Sequence, residues 1–279
     1  MTEKLKTEET RKKKDNEPNP RYPYFGLIGA VGVGKSKLAG LVRSDFGIKL
    51  AQEQFMENPY LKGFYEEDPK KFSFDAQMFF LLDKARQMRP LRRDLQERSA
   101  MHDPALVQDI SIEKVQWRKG WINDDHHEDY ERTHKSLIAD NFLPTPDVYV
   151  ALLAKKETVR ERIMKRGRKM ELSMMEKHPD YFDLITEEIN TWIRENRYKI
   201  PMVVIETDEV DFVNDDLSKE KVVEEIRAWA SYYINSPHQL DGRASDGAKL
   251  IFPNFLRVPR NVVDLPPGLP VENKRFYNR

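Results

Sequence analysis

The stretch LIGAVGVGKSKLAG, at 27–40, combines closely spaced glycines with an adjacent lysine and serine. Its central part matches the pattern G-x-x-x-x-G-K-S. Glycines allow backbone N–H groups of such a loop to point at phosphate oxygens, and the following helix N-terminus adds partial positive charge. Lys35 would reach the terminal phosphates of a nucleoside triphosphate, and Ser36 would hold Mg²⁺. The residues expected to bind nucleotide are Gly29, Gly32, Gly34, Lys35 and Ser36.

Strand-like and helix-like segments alternate through the middle of the chain. Short apolar runs predict buried parallel strands at 24–30, 48–52, 105–109, 147–154 and 202–207. Helical patterns lie between these runs, which favours an α/β three-layer fold with a parallel five-stranded sheet flanked by helices. The glycine-rich loop follows the first predicted strand and precedes a helix, as a phosphate-binding loop must. A chance glycine-rich turn is the alternative. Ligands of such sheets bind beyond the carboxyl ends of the strands.

The chain divides into three regions. Residues 1–22 are highly charged and poor in apolar side chains, which predicts a disordered tail. Residues 23–236 carry the alternating pattern, and residues 237–279 form a Pro/Gly-rich extension. We expect residues 250–260 to pack against the domain or a second subunit through the apolar side chains of Phe252, Phe255 and Leu256.

The composition excludes several classes of protein. Lys plus Arg is 47 and Asp plus Glu is 47, so the net charge gives no argument for a nucleic-acid partner. The sequence contains no run of about 18 apolar residues, so no membrane span is predicted. The absence of cysteine excludes disulfides, thiolate zinc sites and cysteine catalysis. It fits a reducing compartment, and we expect a cytoplasmic location.

Glu53, at the carboxyl end of the second predicted strand, is the first of several short motifs. Those that follow are NPYL (58–61), FYEEDP (64–69), QMFFL (77–81), LPTPDVYVALLA (143–154) and ERIMKRGRKMEL (161–172). Their order and spacing resemble the deoxynucleoside kinase family, most closely its bacterial deoxyadenosine and deoxyguanosine kinase branch. The resemblance covers about residues 24–210. It implies a P-loop kinase fold with a helical lid, ATP and Mg²⁺ as cofactors, and a deoxynucleoside as substrate; we also expect a homodimer.

The resemblance implies roles for individual residues. Glu53 would be the general base for the sugar 5′-hydroxyl, and Arg166 and Arg168 of the lid would close over the ATP phosphates. These roles suit phosphoryl transfer, which depends on positioning and on neutralising charge. The residues assigned to the substrate are Gln77 at the base edge, Glu171 and Tyr65 at the sugar 3′-hydroxyl, Lys84 in place of the usual family arginine, and Asp109.

The residues themselves leave other interpretations open. Glu53 could be a strand-end acid without catalysis, and Gln77 could be a surface residue on an amphipathic helix. The lid arginines could form an ordinary solvated helix end.

The third predicted strand departs from the family pattern. The family has D-R-S at its end, whereas this sequence has Asp109, Ile110 and Ser111. An isoleucine cannot neutralise charge, so Ile110→Arg is expected to leave activity similar or raise it. Val115 stands where related enzymes have an aspartate. The alternative function is a catalytically weak, kinase-fold accessory subunit of an assembly such as mitochondrial respiratory complex I, although the intact G-K-S favours the kinase.

A histidine-rich segment, DDHHEDYERTH at 124–134, gathers His126, His127 and His134 with acids and could bind a metal. The spacing of His126, His127 and His134 fits no standard metal centre, so we expect a charged helix face. Trp117 and Trp121 could offer stacking faces, but packing in the core or on the surface is the expected role.

Overall fold

A computed structural model of the 279-residue chain describes residues 19–139, 142–235, 248–251 and 253–254. Five parallel strands form one sheet in the order β2-β3-β1-β4-β5. They are β1 (Tyr24–Gly29), β2 (Lys49–Gln52), β3 (Ala100–Asp103), β4 (Val148–Leu153) and β5 (Met202–Glu206). Every residue of β1, in the centre, is buried, which explains its continuous apolar run. The predicted α/β fold with a parallel five-stranded sheet is confirmed.

Helices connect the strands and cover the sheet. They are α1 (Lys35–Phe46), α2 (Pro69–Met88), α3 (Leu91–Glu97), α4 (Val107–Arg118), α5 (Asp124–Ile138), α6 (Lys156–Arg166), α7 (Lys169–Lys177), α8 (Tyr181–Asn196) and α9 (Asp216–Asn235). A 3₁₀ turn at Phe55–Glu57 and a π-helical turn at Gly63–Glu67 lie between β2 and α2. Among the described residues, no helix is both long and apolar enough to cross a membrane.

The third strand lies earlier in the chain than the sequence pattern predicts. The segment 105–109, predicted as a strand, instead includes the first turn of α4, and β3 ends at Asp103. His102 interrupts the apolar pattern of β3 but is buried, with its Nδ1 atom 3.0 Å from the hydroxyl of Tyr24. A strand this short with a polar residue gives a weak pattern, whereas the apolar run after it belongs to a helix that packs against the sheet.

The two ends of the described chain meet just before the start of β1. Arg21 forms a buried bidentate ion pair with Asp147, with Nη1–Oδ2 and Nη2–Oδ1 distances of 2.8 and 3.0 Å. The backbone of Arg21 also pairs with the segment 248–251, through an N–H to the Lys249 carbonyl and a carbonyl to the Ile251 N–H. Part of the C-terminal extension therefore packs on the domain.

The expectations for the termini reach beyond these contacts. Residues 1–18 of the predicted disordered tail lie outside the described residues. Most of the C-terminal extension lies outside them too, including the three side chains predicted to pack: Phe252, Phe255 and Leu256.

Candidate active site

The phosphate loop connects β1 to α1 and has the geometry that its glycines predict. Gly32 and Gly34 have φ angles of 83° and 113°, in the left-handed region that side chains rarely adopt. A Cβ atom at Gly32 would also lie 2.9 Å from the side chain of Ile163. The loop can therefore keep this close-packed path only with glycine at these positions. We call the segment 29–36 the phosphate end of the site.

Lys35, the first residue of α1, points back over the loop. Its Nζ atom donates hydrogen bonds to the carbonyls of Gly29 and Ala30 at 2.7 and 2.9 Å. Burial lowers the pKa of Lys35 to about 8, although the carboxylates of Asp103 and Glu53 act in the opposite direction. Ser36 follows on the exposed side of the helix start. The loop thus holds a lysine whose charge becomes more favourable beside an anion.

Glu53 lies directly after β2, beside the end of β3. Its backbone N–H donates to the carbonyl of Asp103 at 2.9 Å, which continues the parallel pairing by one residue. Its Oε2 atom lies 2.8 Å from Nζ of Lys84, and its side chain keeps 20% of its surface exposed. A carboxylate that is held at a strand end and still reachable can accept a proton from a ligand.

Lys84 joins Glu53 to a second carboxylate. Its Nζ atom donates a hydrogen bond to Oδ1 of Asp109, so Lys84 on α2 lies between β2 and α4. Burial alone would lower the pKa of Lys84, but the two carboxylates outweigh it and raise that pKa. Burial raises the pKa of Asp109, against the opposing effect of Lys84. We call Glu53, Lys84 and Asp109 the acceptor cluster.

The position of Asp109 corrects the motif assignment made from the sequence. Because β3 ends at Asp103, the strand end where the family has D-R-S carries Asp103, Pro104 and Ala105. Ile110 instead packs with the smaller apolar cluster that includes Leu81. The expectation that Ile110 stands near the phosphates was wrong, since an arginine there would enter apolar packing.

Val115 was also misassigned. It is a buried residue of the main core, whereas Asp109, two turns earlier on α4, lines the cleft. The carboxylate expected near the substrate is therefore present, but at a different position from the one inferred.

The lid is formed by the end of α6 and by α7, joined at Gly167. Arg166 makes a bidentate ion pair with Glu171, with Nε–Oε2 and Nη2–Oε1 distances of 3.0 and 2.6 Å. Nη1 of Arg168 lies 3.5 Å from the same carboxylate, and its guanidinium lies over the ring of Phe55, 5.7 Å from the centroid. Glu171 is buried, so the two arginines compensate a charge that would be costly alone.

Aromatic side chains of the π-helical turn lie where this turn contacts both the lid helix α7 and helix α2. Tyr65, in the π-helical turn, is buried and packs edge-on against Phe55 and Phe64. Burial raises the pKa of Tyr65 well above its ordinary value. Its hydroxyl therefore stays protonated at neutral pH and can donate a hydrogen bond.

One cleft of about 1200 Å³ collects these groups. The predicted residues that line it are Gly32, Gly34, Lys35, Ser36, Glu53, Tyr65, Gln77, Asp109, Arg166, Arg168 and Glu171. Gln77 lies two turns before Lys84 on α2, which places both on the same face of that helix. Two of the predicted site residues, Lys84 and Gly29, are not among the residues that line the cleft. The volume exceeds that of a usual single small-molecule pocket.

Two features of the cleft were missed by the sequence interpretation. The segment 207–214 after β5 lines it, and Phe212 would contact a Cβ atom on Gly34 at 3.1 Å. Arg162 fastens this segment to the phosphate loop by donating to the Thr207 carbonyl at 2.7 Å and the Val33 carbonyl at 3.1 Å. The rule that ligands lie beyond the carboxyl ends of strands could have identified the segment, because it follows β5.

Gln108 is a further residue that sequence reasoning missed. Its Oε1 atom accepts a hydrogen bond from the backbone N–H of Gly29 at 3.0 Å, which connects α4 to the start of the phosphate loop. No local pattern in the sequence indicates this contact.

The histidine-rich segment forms α5 and does not assemble a metal site. His127 Nδ1 lies 2.9 Å from a carboxylate oxygen of Glu113, and its ring stacks on Trp117. His134 is buried, so this face of α5 is less charged than expected. Within the described part of the chain, no group of three His, Asp or Glu side chains could hold a metal ion. Trp121 is a buried packing residue, as expected.

Comparisons with known proteins agree with this geometry. The profile of the deoxynucleoside kinase family matches residues 26–231. A deoxyadenosine/deoxycytidine kinase of Bacillus subtilis (strain 168) is 27% identical over 211 residues, which cover 74% of this chain and 93% of the relative. A deoxyguanosine kinase of Lactobacillus acidophilus is 28% identical over 204 residues, which cover 72% of this chain and 87% of the relative.

Solved structures show the same fold. The structure of a deoxyadenosine kinase from M. mycoides with bound dCTP superposes with a TM-score of 0.62 at 22% sequence identity. The superposition covers 74% of this chain and 99% of that one. The resemblance inferred from the motifs is confirmed. Since the family profile extends from the central strand into α9, the chain belongs to the deoxynucleoside kinase family, a family of phosphotransferases that act on deoxynucleosides.

Proposed function

We propose that this protein transfers the terminal phosphoryl group of ATP, bound with Mg²⁺, to the 5′-hydroxyl of a deoxynucleoside. The observation that carries the proposal is the position of Glu53. It lies in the same cleft as Lys35 and the lid arginines, Arg166 and Arg168. A base for the acceptor hydroxyl and cations for the transferred group thus face one space, which is the arrangement that phosphoryl transfer needs.

The phosphate end would hold the donor nucleotide. Backbone N–H groups of the loop and the N-terminus of α1 favour the triphosphate, and Lys35 would move from the loop carbonyls to the terminal phosphates. The Ser36 hydroxyl and the Asp103 carboxylate both line the cleft, and oxygen donors of this kind suit Mg²⁺. The bound ion would neutralise charge on the phosphates.

The acceptor would bind between the acceptor cluster and the lid. Glu53 would take the proton of the 5′-hydroxyl as that oxygen attacks the phosphorus. Gln77 and Asp109 would read the base, while Tyr65 and Glu171 would bind the sugar. The proximity of Arg166 and Arg168 to Glu171 supports a lid that connects the sugar site to the phosphates.

The proposal is tested by incubating the purified protein with ATP, Mg²⁺ and each of the four deoxynucleosides in turn. We expect formation of the 5′-monophosphate from at least one of them, and loss of product when Mg²⁺ is chelated. ATP binding without product from any of the four would overturn the kinase proposal and favour the accessory-subunit alternative, which the known relatives do not support.

A further inference from the structure

The acceptor cluster contains an unusual arrangement of charge. A single ammonium group, that of Lys84, is shared by two carboxylates from different elements, Glu53 after β2 and Asp109 on α4. The side chains of Lys84 and Asp109 expose only 2% and 3% of their surface. An ion pair this deeply buried is costly to break by removing one partner, because the remaining charge is left uncompensated.

The end of β3 offers no cation to Glu53. Pro104 stands beside it at the position where the family has an arginine, and proline has neither charge nor a backbone N–H. Two other cations of the cleft have partners elsewhere: Lys35 bonds to the loop carbonyls and Arg166 to Glu171. Within the described residues, the ion pair formed by Glu53 is the one with Lys84.

We propose that Lys84 is a positioning residue that replaces the missing strand-end arginine, holding the Glu53 carboxylate oriented and coupling it to Asp109. The inference rests on the proposed function, because it concerns how the base of that reaction is held. In this role Lys84 contacts neither the phosphates nor the 5′-hydroxyl. It acts through the Glu53 carboxylate, which would contact the hydroxyl.

The coupling follows from the unused oxygen of Asp109. Its Oδ1 atom accepts a hydrogen bond from Lys84, whereas its buried Oδ2 atom has no partner among the described residues. A base N–H donating to Oδ2 would reduce the negative charge that Asp109 presents to Lys84. Lys84 would then interact more strongly with Glu53, so that binding of the correct base prepares the group that accepts the proton.

The test compares Lys84→Met, Lys84→Arg and the control Lys49→Met, which removes a lysine from the exposed ion pair with Asp94. We expect Lys84→Met to lower kcat about 10²–10³-fold with less than about threefold change in the KM for ATP. Lys84→Arg should restore most of kcat, a rescue that a merely structural role would not require, and Lys49→Met should match the wild type.

A double variant keeps the test informative if Lys84→Met folds poorly. Lys84→Met combined with Asp109→Asn removes the like charge that would face Glu53, so its kcat should lie between the wild type and the single variant. An unchanged kcat in Lys84→Met, or an effect confined to the KM for the deoxynucleoside, would overturn the positioning role. Crystal structures of the wild type and Lys84→Met read the orientation of Glu53 without turnover, and an unmoved Glu53 carboxylate in the variant would contradict the inference. This separates failure of this inference from failure of the kinase proposal, which turnover by the wild type alone decides.

Discussion

The phosphate end of the cleft is formed by one continuous segment, whereas the acceptor cluster is formed by side chains from three elements distant in the chain. At the phosphate end the proposed binding groups are backbone N–H groups, one lysine and a helix terminus, all fixed by local conformation. In the acceptor cluster, Glu53, Lys84 and Asp109 each depend on the packing of β2, α2 and α4. The comparison teaches that the local sequence specifies the phosphate end, whereas the tertiary structure specifies the acceptor cluster.

The sharpest way to test this comparison is to remove the acceptor base. Glu53→Gln keeps the shape of the side chain but cannot accept the proton, so we expect kcat to fall about 10²–10⁴-fold while substrate KM values change little. Steady-state kinetics on the preferred deoxynucleoside measure both parameters. The control is Glu57→Gln in the adjacent 3₁₀ turn, an exposed acid that should leave kcat unchanged. A rise in KM without loss of kcat would show that Glu53 only binds.

The second experiment addresses the phosphate end. Lys35→Ala removes a cation but little packing, so we expect about 10–100-fold weaker ATP binding with little change in thermal stability. Isothermal titration measures the affinity, and thermal unfolding confirms that the fold is kept. Arg43→Ala, exposed at the other end of the same helix and outside the cleft, serves as the control. Equal ATP affinity in the wild type and Lys35→Ala would contradict a phosphate-binding role.

The smallest expected effect concerns His102 of β3, the strand that ends beside Glu53, and the pH dependence of folding stability. Burial, with a contribution from Lys84, lowers the pKa of His102 from 6.5 to about 4. The unfolded chain therefore binds a proton that the folded protein excludes, so stability is complete above about pH 7 and falls as the pH drops from 6.5 towards 4. At pH 5 the loss should be about 2 kcal/mol.

Urea unfolding at pH 8 and pH 5 measures this loss. His102→Asn should reduce the difference between the two pH values, while His126→Asn, on the exposed face of α5, should retain it. An equal pH dependence in the wild type and His102→Asn would mean that other groups cause the acid sensitivity.

The part of the site that the sequence predicted is the part with local determinants. Gly32, Gly34 and Lys35 were assigned correctly to a strand–loop–helix unit because the turn itself requires those residue types. The predicted strand at 48–52 matches β2, which ends at Gln52, so the placement of Glu53 at a strand end is confirmed. The roles assigned to these residues in binding and catalysis remain predictions.

The acceptor side was harder to predict, because its signals lie far apart in the chain. The apolar run at 105–109 predicts a strand but leads into α4, since a buried helix turn and a buried strand look alike over five residues. The wrong strand end shifts the D-R-S alignment from Asp103 to Asp109 and places Ile110 in the wrong environment. The contacts of Arg162 and Gln108 could not be predicted, because each joins elements whose proximity only the tertiary fold reveals.

The pairing of Arg21 with the segment 248–251 has a consequence for how the chain acquires its fold. It joins the beginning and the end of the described chain, so closing it costs more loop entropy than any neighbouring contact and should come late in folding. During synthesis the ribosome releases this segment after the whole sheet, and the nucleotide-binding domain must already hold together without it. The pairing of Arg21 with the segment 248–251 would therefore slow unfolding of the domain more than it would speed folding.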